Sequence, residues 1–360
     1  MKSAESPALT AECIWNSFRI SGKRHLLLTG SPGSGKTALL SRLAPSLPGV
    51  TTWAEPGKGV YLRENATGQE WLIGLYDPTA PGPREKMRPL PSGFEALGIP
   101  ALRRCAQDSS PWISLDEIGY LELSSGEYWG AIQELLEKKQ VIAAVRKSEH
   151  PLLRGLLQRE DVFCLDLDAP FGKAGCVIMA SGLGRRFGGG KLLAPFAGKP
   201  MLNWVLDATD GLFSRRVAVT RSGEAADYCR ALGVEAVLHD LPHRSDTVRL
   251  GLEAVGDVER CLFCPADQPL LRPGTIMSLL LCGVQEPQAI WRPGFEGAPG
   301  APILFPRWAF PELASLPTGK GGSFLAAVHP ERVRLLPLAN PRELRDVDTR
   351  EDLNALETLT

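Results

Sequence analysis

Short apolar segments alternate with amphipathic segments along most of the chain. Three apolar segments have the length and composition of buried strands, namely His25–Thr29, Trp112–Leu115 and Val141–Val145. Before the third lies the segment Tyr128–Lys139, whose apolar residues recur with the period of a helix. This alternation predicts an α/β fold with largely parallel sheets.

Two stretches depart from this alternation. Residues 49–77 are typical of antiparallel strands, because turn dipeptides fall at Pro56-Gly57 and Thr67-Gly68. Residues 78–98 are rich in Pro and Gly, which predicts a mobile loop.

The alternation also breaks at residues 168–175, which contain Pro and Gly, and a new strand, Cys176–Ala180, begins there. We therefore predict two domains, residues 1–172 and 173–360. The length of 360 residues agrees with two domains of roughly 150 residues each. Each predicted domain opens with a glycine-rich strand-to-helix turn, which favours one nucleotide site in each.

Composition and charge exclude several classes of partner. Hydrophobic residues make up 44% of the chain, so each half can bury a core. Basic and acidic residues balance in both halves, which argues against binding nucleic acid through bulk charge. No apolar run reaches the roughly 18 residues of a membrane span, and the N-terminus lacks the apolar core of a secretory signal. We expect a cytoplasmic protein.

The cysteines and histidines do not predict a metal centre. Eight cysteines are scattered without the spacing of a disulfide scaffold. Cys261 and Cys264 form a CxxC pair, but a strand would place them on opposite faces. We interpret both as buried strand residues.

The first glycine-rich turn matches the phosphate-binding pattern GxxxxGK[ST] in full. An apolar strand precedes it and a helix, residues 38–44, follows, as the motif requires. Backbone N–H groups and the helix N-terminus would bind phosphates, Lys36 would reach the β and γ phosphates, and the Thr37 hydroxyl would ligate Mg²⁺. The predicted nucleotide-binding residues are Gly30, Ser31, Pro32, Gly33, Ser34, Gly35, Lys36 and Thr37.

A pair of carboxylates follows the strand at residues 112–115. Asp116 suits a residue that holds Mg²⁺ through water, and Glu117 is placed to orient or deprotonate the attacking water. Alternatively, both residues only cap the following segment. Arg146, just past another strand, is either a sensor of the γ phosphate or a solvated arginine.

Together, GSPGSGKT and DEIGYLEL resemble the small P-loop nucleoside-triphosphatases of the cancer-related NTPase family. The resemblance covers about residues 22–168. It implies slow hydrolysis of an NTP, ATP or GTP, with loose preference for the base.

The second glycine-rich turn, residues 181–190, also follows a strand and carries two arginines. Arg186 and Lys191 supply the positive charge that a triphosphate needs, and Gly182 and Gly184 permit close approach of the backbone. Asp267 follows another strand, at the sheet edge where α/β proteins bind ligands, and is a predicted metal ligand. Taken singly, the turn also fits a surface loop and Asp267 a strand-end turn residue.

These motifs resemble the MobA-like NTP transferases, and within them the molybdenum cofactor cytidylyltransferases. The matches run in order from residue 179 through Asp267-Gln268-Pro269 to the segment 346–353. The resemblance implies a Rossmann-like domain with a mainly parallel sheet, transferring CMP from CTP to the molybdopterin cofactor and releasing pyrophosphate. It adds as nucleotide-binding residues Met179, Ala180, Ser181, Gly182, Arg186, Lys191 and Ser245. Ser245 lies in the segment 239–246, which the resemblance implies binds base and ribose.

The resemblance also implies roles for charged residues. Mg²⁺ would sit on Asp267, with Asp348 as a second ligand or, alternatively, as part of the start of a helix. The predicted catalytic residues of the two domains are Lys36, Glu117, Arg186, Lys191 and Asp267.

Departures from the family pattern affect the prediction of which nucleotide base the C-terminal site selects. Ser181 stands where cytidylyltransferases usually have Ala and guanylyltransferases Gly, and Gly190 replaces the Asp that guanylyl enzymes tend to have. Gly184 replaces a serine. CTP is the expected substrate, with a molybdoenzyme as a possible recipient of the product. Guanylyl transfer, another phosphorylated acceptor, and a molybdopterin carrier with an NTPase switch are the alternatives.

Overall fold

The structure is a computed structural model that describes residues 9–81 and 86–358. The chain divides into two compact units, and one of them spans Ser21–Pro170. The other contains, among the described residues, 171–358 and also 9–20. Helix α1 (Ala11–Ser21) therefore belongs mainly to the C-terminal unit, where the Ser17 hydroxyl lies 3.4 Å from the carbonyl oxygen of Ser278. Its apolar face predicts a helix but does not identify the surface that it packs against.

An eight-stranded sheet forms the unit Ser21–Pro170, in the order β5-β4-β3-β2-β6-β7-β1-β8. Strands β2, β6, β7, β1 and β8 run parallel, and β3, β4 and β5 extend the sheet with antiparallel pairs. The predicted antiparallel segment is thus confirmed. The strands are β1 (His25–Thr29), β2 (Gly49–Glu55), β3 (Gly59–Glu64), β4 (Glu70–Tyr76), β5 (Met87–Pro89), β6 (Trp112–Ile118), β7 (Gln140–Val145) and β8 (Val162–Asp166).

The helices of this unit correct one expectation. The predicted loop at 78–98 is wrong for its described C-terminal part, because Met87–Pro89 pairs with β4 and a helix begins at Pro91. Phe94 and Leu97 bury their side chains in the core, which outweighs the local Pro and Gly content. Residues 82–85 lie outside the described residues. The helices are α2 (Lys36–Leu43), α3 (Pro91–Gly93), a π-helical segment (Phe94–Gly98), α4 (Ile99–Gln107), α5 (Gly126–Lys138) and α6 (Pro151–Leu157), with a 3₁₀ turn at Glu122–Ser124.

The second unit is built on another sheet, in the order β13-β12-β9-β14-β17-β15-β16, with β18 beside β15. Strands β13, β12, β9 and β14 are parallel, β17 is antiparallel to β14, and β15 is parallel to β18. A small hairpin joins β10 to β11. The strands are β9 (Ala174–Ala180), β10 (Pro195–Phe196), β11 (Lys199–Pro200), β12 (Arg215–Thr220), β13 (Glu235–Leu238), β14 (Arg260–Pro265), β15 (Ile290–Phe295), β16 (Ala298–Pro299), β17 (Ile303–Pro306) and β18 (Val333–Pro337).

Parallel pairing of β9 with β14 brings their carboxyl ends to one edge of the sheet. The second glycine-rich turn and Asp267 follow these two ends, so the fold itself brings them together. The remaining helices are α7 (Met201–Ala208), α8 (Gly223–Ala231), α9 (Arg244–Val255), α10 (Pro273–Gln285), α11 (Phe310–Ala314), α12 (Gly322–Val328) and α13 (Arg350–Glu357). Short 3₁₀ turns lie at Arg185–Phe187, Lys191–Leu193, Arg307–Ala309, Pro330–Arg332 and Pro341–Leu344.

Within the described ranges, no helix is long and apolar enough to cross a bilayer. The eight cysteines are free thiols. Cys261 and Cys264 are fully buried in β14, as their interpretation as strand residues predicts. Both units are α/β, as predicted. The C-terminal sheet was expected to be mainly parallel, and its four strands β13, β12, β9 and β14 are parallel.

Candidate nucleotide sites

The phosphate-binding loop of the first unit joins β1 to α2. Gly33 and Gly35 have φ angles of 79° and 89°, a region in which residues with a Cβ are strained, so both glycines are required by the turn. The Lys36 ammonium donates hydrogen bonds to the carbonyl oxygens of Gly30 at 2.9 Å and Ser31 at 3.1 Å. The side chain that would contact the phosphates is thus folded back over the loop.

Thr37 and Asp116 meet beside this loop. The Thr37 hydroxyl donates to Asp116 Oδ1 at 3.2 Å, although the two residues are 79 positions apart. Burial raises the pKa of the Asp116 carboxyl to about 6. Both line a cavity of about 810 Å³ on the β2 side of α2. Asp116 lies inside β6, which extends to Ile118, and not at a helix start, so its interpretation as a residue that only caps the following segment is wrong.

Glu117 lies apart from this pair. Its carboxylate accepts a hydrogen bond from Arg146 Nε at 3.1 Å, and its own N–H donates to the Thr52 hydroxyl at 2.9 Å. The Arg146 guanidinium also stacks on the ring of Tyr120, 5.1 Å from its centroid. Glu117 and Arg146 line a second cavity, of about 140 Å³. Arg146 is thus paired with a carboxylate, which neither of the sequence-based alternatives includes.

Four charged side chains form a cluster at the edge of the C-terminal sheet. Lys191 Nζ lies 2.7 Å from Asp267 Oδ2 and 3.4 Å from Asp348 Oδ1. Arg186 reaches the other oxygen of Asp348 at 2.9 Å. Lys191 is buried, whereas Arg186 is exposed. The structure therefore brings together all four charged residues predicted for this site.

The Asp348 side chain belongs to this cluster, whereas its backbone takes part in the start of α13. The cap is the pair Thr349 and Asp352, whose side chains each accept a hydrogen bond from the other's backbone N–H. The capping box predicted from the spacing is confirmed. The N–H of Asp348 also donates to Asp352 Oδ2 at 3.0 Å, so Asp348 contributes to the helix start as well as to the charged cluster.

A third carboxylate, Asp346, was missed by sequence reasoning. Gln268 Nε2 donates to Asp346 Oδ1 at 2.9 Å, and the N–H of Val347 donates to the carbonyl oxygen of Asp267 at 2.9 Å. Burial, followed by the nearby charge of Asp267, raises the pKa of Asp346. Its position two residues before Asp348 was the available signal. These contacts fix the two metal-ligand candidates relative to each other.

The glycine-rich turn of this unit depends on Gly184. Its φ is 56°, and a Cβ there would lie 2.9 Å from Cβ of Lys191. Gly184, in place of the family's serine, thus makes room for the lysine. At Gly182 a Cβ would meet no protein atom within 4 Å, and the expected close approach of its backbone to a nucleotide stays a prediction.

The end of β9 presents Met179, Ala180 and Ser181 to this edge. The Ser181 hydroxyl donates to the carbonyl oxygen of Val219 at 3.0 Å and lies 2.8 Å from His239 Nε2. Since a hydroxyl has one proton, His239 Nε2 is the donor in the second bond and carries a proton. Burial lowers the pKa of His239, which favours the neutral ring over the imidazolium. Sequence reasoning placed His239 in a binding segment without a specific role.

The Ser245 hydroxyl has a partner within the protein. Its hydroxyl accepts a hydrogen bond from the N–H of Gly319 at 3.3 Å. Ser245 therefore ties the start of α9 to the glycine-containing loop that precedes α12, and any contact with the nucleotide stays a prediction.

Both sites have the donor chemistry of a hard divalent cation. Thr37 with Asp116, and Asp267 with Asp348, offer hydroxyl and carboxylate oxygens, the ligands that Mg²⁺ and Mn²⁺ prefer. Among residues 9–81 and 86–358, no group of three or more His, Cys, Asp or Glu side chains could hold a metal. A site with one or two carboxylates suits a metal that shares its coordination with substrate phosphates and water.

Comparison with known families agrees with one nucleotide site in each unit. The model of the MobA-like NTP transferase domain matches residues 176–333, and an NTPase model matches residues 69–170. The nucleoside-triphosphatase THEP1 of Thermotoga sp. (strain RQ2) is 31% identical over 150 residues, covering 40% of this chain and 86% of that protein. The chain is thus a fusion of two nucleotide-handling modules. Its N-terminal part belongs to the THEP1-like NTPase family, and its C-terminal part is a MobA-like NTP transferase domain.

Two further proteins are similar to part of this chain. The 3-deoxy-manno-octulosonate cytidylyltransferase of Synechococcus elongatus is 33% identical over 95 residues, but these are 25% of this chain and 39% of that enzyme. The crystal structure of Rv0371c from Mycobacterium tuberculosis H37Rv is 26% identical, with a TM-score of 0.45, and covers 52% of this chain and 98% of that one.

Proposed function

We propose that the C-terminal unit transfers CMP from CTP to the molybdopterin cofactor. A terminal phosphate oxygen of the cofactor attacks the α-phosphorus of CTP, a new P–O bond forms, and pyrophosphate leaves with the electrons of the broken bond. Such a reaction needs positioning and charge neutralisation more than covalent chemistry. A divalent cation on Asp267 and Asp348, when bound, would supply part of that neutralisation.

The cluster of Lys191, Asp267, Asp348 and Arg186 is the observation that carries this proposal. It lies beyond the carboxyl ends of β9 and β14, where α/β proteins bind nucleotides. The carboxylates hold Lys191 and Arg186 at the glycine-rich turn, so both cations are in place when a triphosphate arrives. Lys191 and Arg186 would then bind the phosphate oxygens of CTP and of the departing pyrophosphate.

We propose that the N-terminal unit hydrolyses ATP or GTP with Lys36, Thr37 and Asp116 at the phosphates. Membership in the THEP1-like family and the Thr37–Asp116 contact support this activity. Glu117 would act on the attacking water after its carboxylate separates from Arg146, because that guanidinium lies 3.1 Å from the carboxylate in the structure.

The first test is the choice of base at the C-terminal site. We expect the full chain, given equal CTP and GTP, Mg²⁺ and molybdopterin cofactor, to form predominantly the cytosine dinucleotide. The absence of Asp before Lys191 and the similarity to cytidylyltransferases motivate this expectation. Mass spectrometry of the products decides it, and a guanine dinucleotide as the main product would contradict the assignment to CTP.

A second candidate keeps CTP and changes the acceptor to a sugar acid. The similarity to 3-deoxy-manno-octulosonate cytidylyltransferases favours it, although it covers only 39% of that enzyme. Incubation of the same chain with CTP and 3-deoxy-manno-octulosonate separates the two candidates. Release of pyrophosphate with the sugar acid and not with the cofactor would favour this second function.

A pH effect is expected at the N-terminal site. Asp116 must be ionised to hold a cation, and burial raises its pKa to about 6. Its carboxylate is therefore present above that pH and is protonated as the pH falls through it. We expect the apparent affinity for Mg²⁺ in NTP hydrolysis to weaken about tenfold for each pH unit below 6, and saturating Mg²⁺ to recover the rate. A Mg²⁺ affinity independent of pH between 5 and 7 would contradict this role of Asp116.

A further inference from the structure

A carboxylate outside the loop motif holds the first half of the phosphate-binding loop. The N–H of Ser31 donates to both oxygens of Asp168, at 3.0 Å each, and the Ser31 hydroxyl donates to Asp168 Oδ2 at 2.9 Å. Asp168 is 137 residues away in sequence. The loop is thus fastened by three hydrogen bonds to a charged group that no phosphate-binding motif includes.

Lys147 anchors this carboxylate. Its ammonium lies 2.9 Å from Asp168 Oδ2 and 2.8 Å from Asp166 Oδ2. The N–H of Asp168 also donates to Asp166 Oδ1 at 3.0 Å. Lys147 follows β7 and Asp166 ends β8, the two strands that flank β1, the strand leading into the loop. Lys147 and the hydrogen bonds from Ser31 lower the pKa of Asp168 to about 2, so the carboxylate is ionised throughout the working pH range.

The arrangement matters when a nucleotide binds. In the structure the Lys36 ammonium donates hydrogen bonds to the carbonyl oxygens of Gly30 and Ser31. Its ammonium must leave them to reach the phosphates. The bonds from Ser31 to Asp168 do not involve the Lys36 ammonium, so they can persist when that ammonium moves to the phosphates. We propose that Asp168 and Lys147 form a loop clamp that positions residues 30 and 31 in the nucleotide-bound state, which makes Asp168 a positioning residue for NTP hydrolysis.

Lys147 is needed for a second reason. An isolated carboxylate beside the loop would repel a triphosphate, and repulsion between like charges weakens binding. The ammonium offsets the charge of Asp168 while keeping its oxygens available to Ser31. The inference rests on the proposed hydrolysis at this site, so its test measures binding and turnover separately.

The test uses the full chain and four variants, Asp168→Ala, Asp168→Asn, Lys147→Met and, as a matched control, Asp161→Asn. Asp161 is a carboxylate of similar exposure that accepts two hydrogen bonds from Arg159 and lies 3.3 Å from His25, at the opposite end of β1 from the loop. Binding of a fluorescent ATP analogue, KM and kcat for ATP, and the melting temperature are measured for each protein.

We expect Asp168→Ala to raise KM and Kd about tenfold, the effect of losing one charge-assisted hydrogen bond, with kcat changed less than about threefold. Asp168→Asn keeps an acceptor for Ser31 and should recover part of the affinity. Lys147→Met should weaken binding, and high salt should reduce its defect because salt screens the uncompensated carboxylates. Asp161→Asn should leave KM and Kd unchanged.

Three results would overturn the loop clamp. These are an unchanged Kd in Asp168→Ala, an equal loss in Asp161→Asn, or a loss that follows the fall in melting temperature with no recovery in Asp168→Asn. A parent chain that neither binds nor hydrolyses ATP or GTP would instead refute the proposed hydrolysis, and the loop clamp with it.

Discussion

Asp267→Ala should abolish nucleotidyl transfer and leave NTP hydrolysis at the rate of the parent chain. Asp267 lies 2.7 Å from Lys191 and, with Asp348, supplies the carboxylate oxygens for a cation. Without it the phosphates of both substrates would repel one another. Two unit charges 4 Å apart interact by about 4 kcal/mol at an effective dielectric constant near 20, which corresponds to roughly a thousandfold in rate. The residues proposed for hydrolysis, Thr37 and Asp116, lie in the other unit.

The matched control for this variant is Asp257→Ala. Asp257 precedes β14, at the opposite end of the strand from Asp267, and pairs with Lys173 and Arg307. It should transfer at the parent rate. Both variants should keep the parent's melting temperature to within a few degrees, since Lys191 retains Asp348 as a partner. Residual transfer above about a tenth of the parent rate in Asp267→Ala would contradict the role of this carboxylate.

The sequence predicts both glycine-rich turns because their function requires a local pattern. The strand β1, the residues 30–37 and the following helix are contiguous, so loop and context can be identified together. The strand β14 and Asp267 are predictable for a similar reason, since an apolar strand ends in a polar residue. Parallel pairing of β9 with β14 then brings Asp267 close to Lys191. This proximity depends on the fold and cannot be predicted from a local pattern.

Contacts that join distant segments are the ones that sequence reasoning missed. Asp168 reaches Ser31 from the end of β8, and Gln268 reaches Asp346 from another loop, yet neither pair has a local pattern. No local sequence pattern predicts the pairing of Glu117 with Arg146 either, because it depends on the positions of the ends of β6 and β7 in the sheet. The helix at 91–107 was missed because local Pro and Gly content is a weaker determinant than the burial of Phe94.

The reciprocal prediction concerns Lys36. Lys36→Ala should lower kcat/KM for NTP hydrolysis by a factor of about 100 or more, because the ammonium would make charge-assisted hydrogen bonds to two phosphates. Glu117→Gln is its companion variant. It should bind the nucleotide with the parent's affinity and turn it over at least about a hundredfold more slowly, because the amide cannot accept the proton of the attacking water.

Transfer of CMP should be unchanged in both variants if the two reactions are independent. Hydrolysis, nucleotide binding and transfer are measured on the full chain, and transfer is also measured on residues 173–360 if that segment is produced folded. The proposed independence rests on separate loops and separate carboxylates, Asp116 in one unit and Asp267 in the other. Loss of transfer in Lys36→Ala, with residues 173–360 alone still active, would show instead that NTP binding in one unit controls the chemistry of the other.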